Sequence, residues 1–121
     1  MFNINIKDAN RLDIEIKGKI DAEEMASALD DLIEQSEGMI GGKMLYRIED
    51  LHLPSFRALG VELTKIPSLL KLIGRFDRVA LVADKAWLRV AGEIEGALFP
   101  GMKIKGFEPA ELTEAEAWLT G

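Results

Sequence analysis

The 121-residue sequence contains no cysteine and one histidine, His52. The lack of cysteine excludes disulfide bonds and thiolate zinc sites, and a single histidine leaves only carboxylates to complete a metal site. No apolar run is long enough to cross a membrane, and the first residues lack the basic and apolar regions of a signal peptide. We therefore expect a cytoplasmic protein with no integral membrane segment and no bound metal.

Positive charge is also scarce. The chain has 15 basic and 21 acidic residues, which gives a net charge of -6. Because binding to phosphates needs clustered lysine and arginine, we expect no nucleic-acid binding. The densest basic region runs from Lys65 to Arg89 and is diluted by acidic residues. It is either a solvated surface or a docking patch for an acidic partner or an anionic headgroup.

Catalytic and cofactor-binding motifs are missing as well. Asp50, His52 and Ser55 fall within six positions, and such close neighbours rarely reach the geometry of a catalytic triad. Ser55 is not in a Gly-x-Ser-x-Gly turn. Gly41–Gly42 precedes a strand pattern instead of linking a strand to a helix, so it does not form a phosphate-binding loop. We therefore expect a protein that is not an enzyme and needs no cofactor.

Alternating hydrophobicity predicts two half-buried strands near the start of the chain. Apolar and polar residues alternate over Phe2–Lys7 and Arg11–Lys17, and the turn-prone Asp8–Asn10 lies between them. This pattern predicts an antiparallel hairpin. Val79–Ala83 is instead apolar on both faces, which is typical of a central parallel strand covered by helices on both sides.

The rest of the chain alternates between strand and helix patterns. Strands are predicted at 44–48, 79–83 and 102–107. Helices are predicted at about 21–37, from Pro54 onward, after Asp84 and after Thr113, and Pro67 either kinks the second helix or divides it into two pieces. Right-handed crossovers make the later strands parallel. The predicted fold is α/β: one domain over 1–121 with a five-stranded mixed sheet, an N-terminal antiparallel hairpin, three following strand–helix units and helices on both faces.

Short side chains mark the predicted helix starts. Asp21 with Glu24, and Thr113 with Glu116, resemble capping boxes. Asp84 is placed as the N-cap of a helix carrying the apolar positions Leu88, Ala91, Ile94 and Leu98. A cap alone explains this aspartate, but the carboxyl ends of parallel strands are also where open α/β sheets bind ligands.

Three segments carry a resemblance to a known family: "GKIDAEE" (18–24), "FDRVALVADKAWL" (76–88) and "GFEPAELTEAEAWL" (106–119). With their spacing, they resemble the SpoIIAA-like family of small bacterial domains, which is similar in architecture to STAS domains and to the CRAL-TRIO lipid-binding fold. The resemblance implies a non-enzymatic interaction or regulatory module. The alternative is a binder of a small amphipathic or lipid-like ligand, held in a shallow crevice between the helical stretch after Pro54 and the helix after Asp84.

STAS anti-sigma-factor antagonists carry an Asp-Ser-Ser/Thr-Gly motif whose second hydroxyl residue is phosphorylated. The corresponding region, Ile48–Gly60, reads "IEDLHLPSFRALG" and lacks this motif. Phosphorylation therefore does not carry over to Ser55, its one hydroxyl residue.

The candidate ligand or partner surface consists of residues near the predicted strand ends and on the apolar helical stretch: Asp84, Lys85, Trp87, His52, Ser55, Leu69 and Leu72. On a single helix Leu69 and Leu72 fall away from the main apolar stripe. Because exposed apolar patches usually mark interfaces and two-fold dimers are the commonest way to cover them, we expect a homodimer. A kink at Pro67 that turns both leucines inward, or a bound apolar molecule, would cover the patch in other ways.

Overall fold

A computed structural model describes residues 2–52, 74–97 and 101–121. In this part of the chain five strands form one mixed sheet in the order β1-β2-β3-β4-β5. The strands are β1 (Phe2–Asp8), β2 (Arg11–Lys19), β3 (Gly42–His52), β4 (Phe76–Ala83) and β5 (Lys103–Phe107). Only β1 and β2 pair in antiparallel fashion, and the pairs β2–β3, β3–β4 and β4–β5 are parallel. The predicted hairpin and mixed sheet are confirmed.

Helices cover both faces of this sheet. The described helices are α1 (Ala22–Gln35), α2 (Ala86–Ala97) and α3 (Leu112–Thr120), with a 3₁₀ turn at Pro109–Glu111 before α3. Helices α1 and α2 bury their apolar positions on one face, and α3 packs on the other face against β3, β4 and β5. Strand β4 lies between β3 and β5 and is buried over 79–83, as its doubly apolar sequence predicts.

Two apolar clusters follow from this layering. The larger one joins α1 and α2 to the alternate residues of the strands that point toward them, including Leu12, Ile14 and Ile16 of β2. The smaller one joins Ala115 and Leu119 of α3 to residues of β3, β4 and β5. The face of β1 and β2 on the α3 side carries mainly polar residues, because α3 covers only the later strands.

The first helix starts as its sequence predicts and the last one does not. The Asp21 carboxylate accepts the Glu24 N–H at 2.8 Å, so Asp21 caps α1. At the last helix the capping box is formed by Glu108 and Glu111 around the 3₁₀ turn, and the predicted box at Thr113 is wrong.

Glu116, the second member of the mispredicted box, faces the sheet instead. The two Nη atoms of Arg11 donate to the two carboxylate oxygens of Glu116 at 2.9 and 2.7 Å. The Arg11 Nε also donates to Asp13 at 2.6 Å. This ion pair joins the start of β2 to α3, so the spacing of Glu116 reflects a tertiary contact and not a helix start.

Candidate functional site

The C-terminal ends of β3 and β4 are joined by a backbone-to-side-chain hydrogen bond. Asp50 has a left-handed φ of 48°, a conformation in which aspartate is tolerated better than most side chains. Its N–H donates to Oδ2 of the exposed Asp84 at 3.1 Å. A charge-assisted bond of this kind holds the irregular part of β3 at Asp50, where the register with β2 shifts, against the end of the neighbouring strand.

The N-cap of the next helix lies one residue after the predicted position. Helix α2 begins at Ala86, and the Lys85 carbonyl accepts the N–H groups of Leu88 at 3.1 Å and Arg89 at 3.4 Å. Lys85 therefore occupies the N-cap position, and the placement of Asp84 there is wrong. The Asp84 carboxylate serves the Asp50 amide, a partner 34 positions away that no local pattern reveals.

Arg89 anchors α2 to the same edge of the sheet. Its Nη1 donates to the carbonyl of Ala83 at 2.7 Å, and its Nη2 lies 3.8 Å from Oε1 of Glu108. Gly106 on β5 makes room for this arginine, because a Cβ there would lie 2.7 Å from the Arg89 Cβ. Gly92 likewise lets α2 approach β4, since its Cβ would lie 2.5 Å from Cδ2 of Leu81.

The opposite side of α2 exposes large apolar side chains. Trp87, Val90 and Ile94 recur at steps of three and four residues, so they lie on one face of the helix. They are 57%, 57% and 61% exposed, respectively. We call these three residues the α2 stripe. Exposed apolar residues gathered on one helix face mark a contact surface more often than apolar residues scattered singly.

Ile94 corrects the sequence-based grouping of this helix. The periodicity placed it in one apolar set with Leu88, but Leu88 packs against the larger core cluster and Ile94 faces outward. The missed signal is Gly92, because its side of the helix lies closely against the side chains of Leu81 and Ile104. The opposite side, which carries Val90 and Ile94, therefore faces outward.

The predicted surface residues divide into a described and an undescribed group. Asp84 and Trp87 are exposed and Lys85 is half-buried at the start of α2, so these three lie together at the end of β4. The backbone of His52 ends β3 opposite Lys19. The His52 side chain, Ser55, the kink at Pro67, Leu69 and Leu72 lie outside the described residues.

Among the described residues, no group of three or more histidine, cysteine or acidic side chains is arranged to hold a metal ion. The ion pair with Arg11 lowers the pKa of Glu116, and burial raises the pKa of Tyr46 to about 12. Neither residue is at the strand ends, where the geometry presents a fixed carboxylate, Lys85 and the α2 stripe. No described helix is long and apolar enough to cross a membrane.

The SpoIIAA-like family model matches residues 11–120. The chain belongs to the SpoIIAA-like family. The resemblance seen in the three sequence segments is therefore confirmed. A search of curated proteins gives no match.

Solved structures with the SpoIIAA-like fold cover nearly the whole chain. One is an uncharacterised protein of the DUF3478 family from Shewanella loihica PV-4, with a TM-score of 0.71 and 22% identity over 98% of this chain and 92% of that one. Another is the anti-sigma factor antagonist SpoIIAA in its unphosphorylated form, with a TM-score of 0.57 and 14% identity over the full length of both chains. The Bacillus cell fate determinant SpoIIAA in its phosphorylated form matches with a TM-score of 0.50 and 16% identity, over 94% of this chain and 97% of that one. At these identities the likeness shows the fold.

Proposed function

We propose that this SpoIIAA-like protein is a single-domain, cytoplasmic, non-enzymatic interaction module that binds a protein partner through the α2 stripe and the adjoining Asp84 and Lys85. The observation that carries the proposal is the exposure of Trp87, Val90 and Ile94 on one face of a helix that is otherwise fixed tightly to the sheet. Tryptophan is among the residue types that most often anchor protein interfaces.

The fixed position of the stripe supports a role in recognition. Arg89 bonds to the end of β4 and approaches Glu108, and Asp84 is held by Asp50. A rigid, exposed surface loses little conformational entropy on binding, so more of the contact energy appears as affinity. One structural relative is an anti-sigma factor antagonist, and a protein-binding role for this chain is in keeping with that description. Since Ser55 lacks the surrounding motif, we propose a binding role without a phosphorylation switch.

Partner capture from the native host tests this function. The protein is immobilised as the wild type, as Ile94→Asp and as Ile40→Asp. Ile40 is the matched control, because it is 84% exposed and lies outside α2. We expect one protein to be retained by the wild type and by Ile40→Asp and to be lost with Ile94→Asp. Equal retention by all three would show that the partner does not use the α2 stripe.

The second candidate function is binding of a small amphipathic or lipid-like ligand. The exposed apolar side chains of the α2 stripe favour it, because this helix is one of the two that were predicted to form the crevice. Two grooves formed by described residues are lined mainly by polar and charged groups, which suits such a ligand poorly. Native mass spectrometry of freshly purified protein separates the two candidates, because a retained lipid adds a mass that organic extraction removes.

Self-association through Leu69 and Leu72 stays part of the proposal. Light scattering at micromolar concentration tests it. A dimer that the double change Leu69→Glu and Leu72→Glu converts to a folded monomer would place the interface on that segment.

A further inference from the structure

Strand β1 forms an edge of the sheet far from the α2 stripe. Within residues 2–52, 74–97 and 101–121, β1 pairs only with β2, so one side of its backbone presents unpaired N–H and C=O groups. Natural edge strands are commonly protected by charged residues, proline or bulges. The stretch Phe2–Ile6 has none of these, and its irregularity comes only between Ile6 and Asp8. This stretch can accept a further strand.

An acidic groove lies beside this edge. Its volume is about 440 Å³, and it is formed by one residue of β1 and one side of α1: Phe2, Asp21, Glu23, Glu24, Ser27, Ala28 and Asp31. Four of these residues are acidic and none is basic. Side chains that point from an added strand toward α1 would enter this groove, and the charge favours lysine or arginine there.

The other face of the same edge differs in charge. Asn3, Asn5 and Lys7 line a second groove with Asp13, Glu15 and Arg47. Arg47 lies 4.0 Å from the Glu15 carboxylate, so this face mixes both signs. Because successive side chains of a strand point to opposite faces, an added strand would meet the acidic groove at every second residue and a mixed polar surface at the others.

We propose that the β1 edge binds an extended segment of another protein with lysine or arginine at alternate positions, which adds to the sheet as a sixth strand. Pairing with the unpaired backbone supplies affinity, and the acidic side of α1 selects the basic side chains. This surface is independent of the α2 stripe, because α1 packs beside β1 while α2 packs on β4 and β5.

A second copy of this chain fits the edge poorly. A two-fold axis between two β1 strands would place both α1 helices side by side on the same face of a continuous sheet. Glu24 and Asp31 of each copy would then line one shared gap, and like charges brought together weaken association. The basic segment meets no such repulsion.

Peptide binding observed by NMR tests the proposal. The probes are a peptide of alternating lysine and threonine, about seven residues long to match a strand, and the same peptide with glutamate in place of lysine. We expect the lysine peptide to shift amide resonances of 2–6 and 21–31. It should also slow hydrogen exchange at alternate amides of β1, since a side-chain contact alone would leave those amides open. The glutamate peptide should do neither.

Paired variants show whether the acidic groove selects the peptide. Glu24→Gln with Asp31→Asn removes two charges that line the groove, and Glu34→Gln with Glu37→Gln removes two exposed charges outside it. We expect the first pair to weaken binding roughly three- to tenfold and the second pair to leave it nearly unchanged. Equal weakening by both pairs, shifts centred on the α2 stripe, or no binding at millimolar peptide would overturn the proposal. Protection of β1 amides that rises with protein concentration and needs no peptide would assign the edge to a second copy instead.

Discussion

Helices α1 and α2 pack on the same face of one sheet and present opposite surfaces to solvent. Helix α1 has five acidic residues and no basic one, and those five are all exposed. Helix α2 exposes Trp87, Val90 and Ile94. Both helices contribute to the same core cluster, so sharing a core does not give them similar outer surfaces. The difference between these surfaces is expected to decide what each helix binds.

The two helices also attach to the sheet differently. Helix α1 packs with aliphatic side chains such as Leu32, which is 7% exposed. Helix α2 approaches the sheet closely at two points. Gly92 lies against Leu81 of β4, and Arg89 lies over Gly106 of β5. Close approach through glycines needs few apolar side chains on the inner face of α2, and the residues of the α2 stripe lie on its outer face.

The largest expected difference in stability is between a substitution on the inner side of α1 and one on the outer side of α2. Leu32→Ala should lower the free energy of unfolding by roughly 2–5 kcal/mol, because it removes buried methyl groups and leaves a cavity. Ile94→Ala should change it by no more than about 0.5 kcal/mol, since the side chain is exposed and alanine is the better helix former.

Urea denaturation of both variants measures these values at a constant m-value. A loss for Ile94→Ala as large as that for Leu32→Ala would show that the outer face of α2 is covered in the folded protein. The contrast between the two helices would then disappear.

The inner side of α2 could be predicted only in part from the sequence. Leu88 follows from periodicity, but the role of Gly92 depends on Leu81, and that of Gly106 depends on Arg89. Each pair is distant along the chain, so a glycine can indicate that a close approach occurs but no local pattern reveals its partner. The strands are different, because alternation over Phe2–Lys7 and the doubly apolar Val79–Ala83 report burial directly. For that reason the hairpin and the central strand were predicted correctly.

The second prediction concerns how α2 attaches to the sheet. Gly106→Ala should cost roughly 1–3 kcal/mol, because the new methyl group would overlap the Cβ of Arg89 and push α2 away from β5. Lys103→Ala, at an exposed position of the same strand, should stay within about 0.5 kcal/mol of the wild type. Thermal unfolding of both variants measures the difference. An unchanged stability for Gly106→Ala would mean that α2 is not held closely against β5.

The sequence predicted where the candidate site lies, at the strand ends, but not which residues contact each other there. Asp84 and Trp87 lie near each other because the end of a strand and the start of a helix are adjacent in sequence. The bond from Asp50 to Asp84 joins β3 to the end of β4 and depends on the left-handed backbone of Asp50 within β3, which no local pattern in "IEDLH" specifies.

Helix α3 extends the comparison to the other face of the sheet, where an ion pair adds to apolar packing. Arg11 lowers the pKa of Glu116, so ionised Glu116 stabilises the folded state. Because the Glu116 side chain is 45% exposed, solvent screening keeps the expected loss for Glu116→Gln below about 1 kcal/mol. Glu114→Gln, at an exposed position of the same helix, is the matched control.

The stability difference between the wild type and Glu116→Gln should depend on pH. Because folding lowers the pKa of Glu116, its contribution to stability is complete at pH values above the ordinary glutamate pKa of about 4.3. That contribution is lost as the pH falls through the folded-state pKa. The stability gap between the wild type and Glu116→Gln should therefore be constant near neutral pH and close in acid. A gap that persists below the folded-state pKa would mean that the substituted glutamine disturbs packing and not charge.

The smallest expected effect is spectroscopic and involves the two tryptophans. Trp118 is half-buried, with its ring centre 6.1 Å from that of Phe107 and the Arg78 guanidinium 5.6 Å above it, whereas Trp87 is 57% exposed on the α2 stripe. Trp118→Phe leaves Trp87 as the one emitter, and Trp87→Phe leaves Trp118. We expect Trp87 to emit at longer wavelength and to be quenched more strongly by acrylamide, with little change in stability for Trp87→Phe because few contacts are lost. Circular dichroism of both variants provides the control for folding.

Equal quenching of the two tryptophans at low protein concentration would mean that the chain covers Trp87 itself. Quenching of Trp87 that weakens as protein concentration rises would instead indicate that a second copy covers the α2 stripe.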